Sequence, residues 1–120
     1  MLDVAAEQAP EAELVLGDGL SLPFDNGSFE RVFTSHFYGH LDETEREHFL
    51  AEARRVADEL VVVDSAVRAE TPPILMQERV LNDGSRWAVL KRYFTGDELS
   101  EELGGGQVLH ESQYFVVVRA

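Results

Sequence analysis

The chain has 120 residues, 44% of them apolar, enough for one modest core, so a single domain over residues 1–120 is expected. Its 23 acids outnumber its 10 bases, giving a net charge of −13, and Lys91 is its one lysine; this argues against nucleic acid as a partner, because affinity for phosphate comes from clustered Lys and Arg. No run approaches the roughly 20 apolar residues of a membrane helix, the first residues lack a basic-then-apolar leader pattern, and cysteine is absent; a cytoplasmic protein with no membrane contact, disulfide or thiolate metal site is expected.

Leu2, Ala5, Ala6 and Ala9 share one helical face that ends at Pro10, and nothing before Leu2 caps a helix start, so the chain is predicted to begin inside a helix. Ala12 to Gly17 reads as a short strand through Leu14, Val15 and Leu16, followed by a turn-rich stretch from Asp18 to Ser28. Phe29 to Ser35 is a second strand. Asp42 and Glu45 form a capping box, Arg54 and Arg55 close the last turn, and Phe49, Leu50, Ala53 and Val56 make one apolar stripe, which together predict a helix. Leu60 to Val63, closed by Asp64, has the continuous apolar pattern of a strand buried on both faces, and strand, helix and strand make a βαβ unit.

Thr71 with Pro72 behind it is predicted to start a helix carrying Ile74, Leu75 and Leu81, ended by Asn82, Asp83 and Gly84. Trp87 to Phe94 fits either a strand or an extended loop. Thr95 and Glu98 cap a short helix with Leu99 and Leu103 inward. Gln107 to His110 and Tyr114 to Val118 read as an antiparallel hairpin through Glu111-Ser112-Gln113.

Between Leu16 and Leu41 the words Gly17-Asp18-Gly19, Leu22-Pro23-Phe24, Asp25, Ser28-Phe29-Glu30 and Val32 follow the order and spacing of a "GDA, LPF, D, SFD, V" pattern. Ala53-Arg54-Arg55-Val56 extends it. On these residues the chain resembles the class I S-adenosylmethionine-dependent methyltransferases, of the small-molecule, ubiquinone-biosynthesis-like type. The resemblance implies a sheet in the order 3-2-1-4-5-7-6 with strand 7 antiparallel. Leu14 to Gly17 then resembles strand 3, Phe29 to Ser35 strand 4, Leu60 to Val63 strand 5, and the terminal hairpin strands 6 and 7. Strands 1 and 2 have no counterpart, and neither do the glycine-rich loop and the ribose-binding acid; no GxGxG occurs in the sequence. The fold implied is α/β, a partial Rossmann-like sheet of strands resembling 3, 4, 5, 6 and 7, with helices on its faces.

The resemblance also implies that Asp18 accepts a hydrogen bond from the adenine amine while backbone at Gly19 and Leu20 reads the ring edge; the plainer reading of Asp18 is a turn former. Ser35 and His36 stand at the carboxyl end of a parallel strand, where open α/β sheets bind ligands, which by analogy puts them beside the reacting methyl. An unperturbed histidine titrates near neutrality and suits a general base, and Tyr38 or His40 suits orienting a substrate hydroxyl. The plainer readings are that Tyr38 is core and His40 packs structurally. His36, His40 and Asp42 would suit a metal only on a helix, which Gly39 and the preceding strand oppose, so no metal is expected. Arg86, Trp87 and Tyr93 fall where the family carries substrate-covering insertions, and read as a lid with an exposed Arg.

The expected function is methyl transfer from S-adenosylmethionine to a small-molecule acceptor, with cofactor bound weakly or not at all by this chain alone. A second expectation, from another class, is a non-catalytic interaction module that self-associates through an exposed sheet edge, as a homodimer or with a complementing chain. An acidic mimic of nucleic acid is a third, resting on charge alone.

Overall fold

The computed structural model describes residues 7–8, 13 and 15–120. Within the first expected helix Glu7 and Gln8 are helical, while Leu2, Ala5, Ala6 and Ala9 lie outside the described residues. So do Ala12 and Leu14 of the first expected strand; its described remainder, Val15 to Gly17, forms no strand, and Leu16 is 84% exposed. An extended segment with no neighbour among the described residues has nowhere to place its backbone hydrogen bonds, and strand 2, which would pair with it in the family order, has no counterpart in the sequence.

Strand β1, Phe29–Ser35, leads through a 3-10 turn at Tyr38–His40 into helix α1, Glu43–Val56, and then strand β2, Ala57–Ser65. The start of α1 is the capping box read from the sequence. Asp42 accepts from the Glu45 amide at 2.8 Å, and Glu45 accepts from the Asp42 amide at 3.0 Å. Strands β5, Gln107–Glu111, and β6, Phe115–Arg119, form the terminal hairpin, with a register shift between Val108 and His110.

Among the described residues these strands form one sheet in the order β1-β2-β6-β5. β1 and β2 are parallel, and β6 is antiparallel to both its neighbours. That is the order 4-5-7-6, with the directions the resemblance implied. One face carries Leu60, Val62, Val116 and Val118, none more than 3% exposed, against Phe49 and Ala53 of α1 and Leu99 of the short helix α2, Gly96–Glu102. Each such side chain contributes roughly 1.5–3 kcal/mol by leaving water. The opposite face is thinly covered toward β1, where Phe33 is 64% and Phe29 44% exposed.

The expected helix from Thr71 is instead strand β3, Ile74–Val80, paired antiparallel with β4, Arg86–Arg92. Two features decide this. Pro73 disfavours helical backbone at Pro72, and the carbonyl of Pro73 accepts from the Tyr93 amide at 2.8 Å, extending the ladder. Asn82-Asp83-Gly84, read as a helix stop, is the hairpin turn: Gly84 has φ +84, and the Leu81 amide donates to the Ser85 carbonyl at 2.9 Å. Trp87 to Arg92 thereby resolves as strand, and Trp87, 59% exposed, covers little. No helix among the described residues is long and apolar enough to cross a membrane.

Candidate functional site

β1 ends at Ser35, and the next amide, of His36, donates to the Val63 carbonyl at 2.9 Å, so the chain leaves the sheet at its carboxyl edge still tied to β2. His36 then takes φ +55, the left-handed region. Histidine tolerates that region better than most residues, yet it costs about 1–3 kcal/mol unless the surroundings impose it, and such strain gathers at functional positions. Ser35 and His36 are both exposed.

The following turn is fixed from below. Gly39 donates its amide to Asp64 Oδ2 at 2.6 Å, and a Cβ on Gly39 would lie 2.7 Å from the Arg92 carbonyl oxygen and 2.9 Å from Asp64 Oδ1. Only glycine fits that approach. Asp64 is wholly buried; it also accepts from the Ser65 amide at 2.8 Å and faces Lys91 Nζ at 3.5 Å. A buried carboxylate is tolerable because these donors replace water.

Tyr38 is buried too, and its hydroxyl donates to Glu102 Oε1 at 2.6 Å. Burial pushes its pKa well above the usual phenol value, and the Glu102 carboxylate adds to the effect, so Tyr38 stays a hydrogen-bond donor. Glu102 also takes Arg46 and, at 3.4 Å, Arg92. A cavity of about 390 Å³ beside this cluster is lined by Tyr38, Glu43, Arg46, Arg92 and Glu102, with both guanidinium groups already paired. His40 is half-buried with Nδ1 2.6 Å from the Leu90 carbonyl. A carbonyl only accepts, so Nδ1 carries a proton in this contact.

On the other flank lies the loop of Asp18, Gly19 and Leu20. Asp18 Oδ1 accepts from the Leu20 amide at 2.9 Å, and the Ser21 amide donates to the Asp18 carbonyl at 3.0 Å, so Asp18 does form a turn. The second carboxylate oxygen and the Gly19 amide have no partner among the described residues. Gly19 packs on Phe37, whose ring a Cβ there would meet at 3.1 Å, which brings the loop against the β1 exit. Leu20 rests on the core. The loop hangs from α1: Glu52 accepts from the Leu22 amide at 2.9 Å, and Arg55 donates to the carbonyls of Leu22 and Phe24 at 2.9 and 2.7 Å. The Arg55 guanidinium holds Glu52 below the ordinary carboxylate value.

A shallow cavity of about 220 Å³ opens beside Val15, Asp18, Gly19, Leu22 and Phe24. Whole-ligand sites usually span about 300–1,000 Å³, so this one suits part of a ligand. An unpaired carboxylate oxygen beside a free amide is the donor and acceptor pair that an adenine edge requires. The free Asp18 carboxylate oxygen and Gly19 amide are compatible in chemistry with the adenine end of S-adenosylmethionine, and the Leu20 amide is already spent on the turn.

The structure sets Gly19 of the Asp18 turn against Phe37, the residue after Ser35 and His36 at the carboxyl edge, and gives Tyr38 and His40 contacts of their own. Among the described residues no group of three His, Asp or Glu side chains converges as a metal site. Sequence reasoning missed Glu52 and Arg55 as loop anchors and Lys91 and Glu102 as partners of the turn. One signal was available: Asp64 closes a buried apolar strand and needs a donor, and Lys91 is the chain's one lysine.

A family model described as a methyltransferase domain matches residues 1–59. Among solved structures, the complex of DhpI with SAH is 22% identical with a TM-score of 0.78, covering 99% of this chain and 59% of its own. The glycopeptide N-methyltransferase MtfA is 19% identical, TM-score 0.63, covering 98% of this chain and 68% of its own. The Burkholderia thailandensis 1,6-didemethyltoxoflavin-N1-methyltransferase is 15% identical, TM-score 0.66, covering 99% and 55%. The chain thus spans about three fifths of the length of the DhpI structure, and no curated protein matches it. The match over the first 59 residues and the shared fold over nearly the whole chain agree: the chain is similar to methyltransferase domains in sequence over its first half, and it has the fold of part of such a domain.

Proposed function

We propose that these residues form the adenine-side and acceptor-side walls of a small-molecule methyltransferase site, and that the grip on the cofactor's ribose and methionine comes from a glycine-rich strand-loop-helix that this sequence does not contain. When bound, S-adenosylmethionine supplies a methyl group on a sulfonium, and transfer is a displacement that depends mainly on holding donor and acceptor in line and excluding water. Asp18 and Gly19 orient the adenine, and Ser35 borders the methyl. His36 faces the acceptor and can take its proton, while Tyr38 and His40 set the turn that carries it. The observation that carries this reading is the packing of Gly19 on Phe37, which places the Asp18 turn next to the strained, exposed His36.

The test is an amide chemical-shift titration with S-adenosylhomocysteine. Shifts confined to Asp18–Leu20 and Ser35–Phe37, and lost in Asp18→Ala, support the reading; shifts elsewhere, or unchanged in the variant, sink it.

A second reading has its own observation. Among the described residues β1 pairs only with β2, so its outer edge presents free backbone groups beside the exposed Phe29 and Phe33. Such an edge is a template for another strand. On this reading the cytoplasmic chain is a homodimer, or joins a complementing chain, along β1. Sedimentation at several concentrations tests it: one species at monomer mass throughout contradicts self-pairing.

A further inference from the structure

We propose that the cleft just past the carboxyl end of β2 holds an oxyanion of the acceptor, a carboxylate or a phosphoryl group, on the guanidinium of Arg68. The word acceptor rests on the function proposed above; the anion site itself does not.

The cleft has a volume of about 600 Å³ and is lined by Val67, Arg68, Glu70, Thr71, Gln113 and Tyr114. Its wall is pinned to the sheet, because the Ala66 amide donates to the Tyr114 carbonyl at 3.1 Å and the Val67 amide to the Phe94 carbonyl at 3.0 Å. β2 is the direct neighbour of β1, and adjacent strands lie about 4.8 Å apart, so the cleft opens on the same carboxyl edge as His36, one strand over.

Charge singles out Arg68. The chain has 23 acids and 10 bases, and every other base engages an acid, an amide or a carbonyl. The Arg68 side chain has neither ion pair nor hydrogen bond among the described residues, although acids are in excess; its backbone carbonyl accepts from the Thr71 amide at 3.2 Å. Its guanidinium lies instead 5.6 Å from the centroid of the Tyr93 ring. Stacking of this kind orients the planar fork without neutralising it, which suits two-point recognition of an oxyanion. Tyr93 is buried and accepts from Gln77 Nε2 at 3.2 Å, so the platform is fixed. The Thr71 and Tyr114 hydroxyls and the Gln113 amide group supply further donors around the cleft. Glu70 is the opposing charge on the same wall. Repulsion from the remaining acids is confined by a screening length of about 8 Å at physiological salt, so Arg68 governs its own surroundings.

The experiment follows the arginine Nε–Hε signals of the 15N-labelled chain in 0.15 M NaCl during titration with inorganic phosphate, acetate or methylammonium. The proposal expects a saturable shift in the millimolar range, largest at Arg68, with an anion and not with methylammonium; saturation by phosphate alone marks a phosphoryl site, and by acetate a carboxylate site. Arg68→Gln should weaken the response at Thr71 and Gln113 at least tenfold, and Glu70→Gln should tighten it about two- to threefold. Absence of saturation at Arg68, or an unchanged response in a folded Arg68→Gln chain, overturns the proposal. If phosphate saturates Arg68 while S-adenosylhomocysteine leaves Asp18–Leu20 unmoved, the anion site stands and the methyltransferase reading falls.

Discussion

Beneath the Tyr38–His40 turn, the Asp64 and Lys91 side chains are 0% and 8% exposed, whereas the Asp18 loop hangs from Glu52 and Arg55, which keep 20% and 30% exposure. The difference lies in what breaking each contact costs. Removing one partner of a buried pair strands the other charge away from water, at about 3–5 kcal/mol, while pairs open to solvent are weakened by salt and by acid. The floor under the Tyr38–His40 turn is thus built to stay, and the Asp18 loop is held by contacts that solution conditions can loosen.

The comparison breaks most visibly at the floor. Asp64→Ala leaves Lys91 buried without its acid and the Gly39 amide without an acceptor, and should cost about 3–5 kcal/mol in urea unfolding. Asp64→Asn, which keeps an acceptor for Gly39, should cost clearly less. If both variants unfold with the parent, the floor does not hold the turn. Tyr38→Phe deletes the bond to Glu102 while Arg46 and Arg92 stay paired with it, so a smaller loss of about 1–2 kcal/mol is expected.

The loop side should respond to pH instead. Glu52 is held below its ordinary value by Arg55, so its contribution to folding is complete above about pH 4.5, the unfolded value, and is lost as pH falls through the lower folded value. The Leu22 and Phe24 amide signals should therefore move in that acid window before the core signals do. Glu52→Gln should remove the acid-dependent part; a transition that survives the variant assigns it to another group.

The smallest effect belongs to His36. Replacing it with glycine relieves the positive φ and should raise stability by up to about 1 kcal/mol, with the melting temperature rising accordingly. In a complemented, active complex the same variant should slow transfer, because the imidazole is gone. A gain in stability with no loss of rate would show the strain to be incidental.

Much of the sheet was legible because its signals are local. The capping box at Asp42 and Glu45, the buried run closed by Asp64 and the polar link at Glu111–Gln113 each specify an element through neighbouring residues. The β3–β4 hairpin was not, because Ile74 to Val80 has no clean period and its partner strand decides its state: Met76 faces Leu90 and Gln77 faces Val89 across the ladder. At the candidate site the sequence pointed to Asp18 through motif order and to Ser35 and His36 through their place at the carboxyl end of a parallel strand. It could not reveal Glu102, which reaches Tyr38 across 64 residues, or Glu52, which reaches Leu22 across 30. Contacts of that range depend on the packed fold, and nothing in the local pattern announces them.

Affinity for the cofactor tests the central claim most directly. On the function proposed above, a chain with only the adenine-side contacts forgoes several hydrogen bonds worth about 1.5–3 kcal/mol each where charge is involved, which amounts to orders of magnitude in binding. Calorimetric titration of this 120-residue chain with S-adenosylmethionine should give a dissociation constant far weaker than low micromolar, with Asp18→Ala abolishing the remaining binding. A low-micromolar constant for the isolated chain would contradict the account.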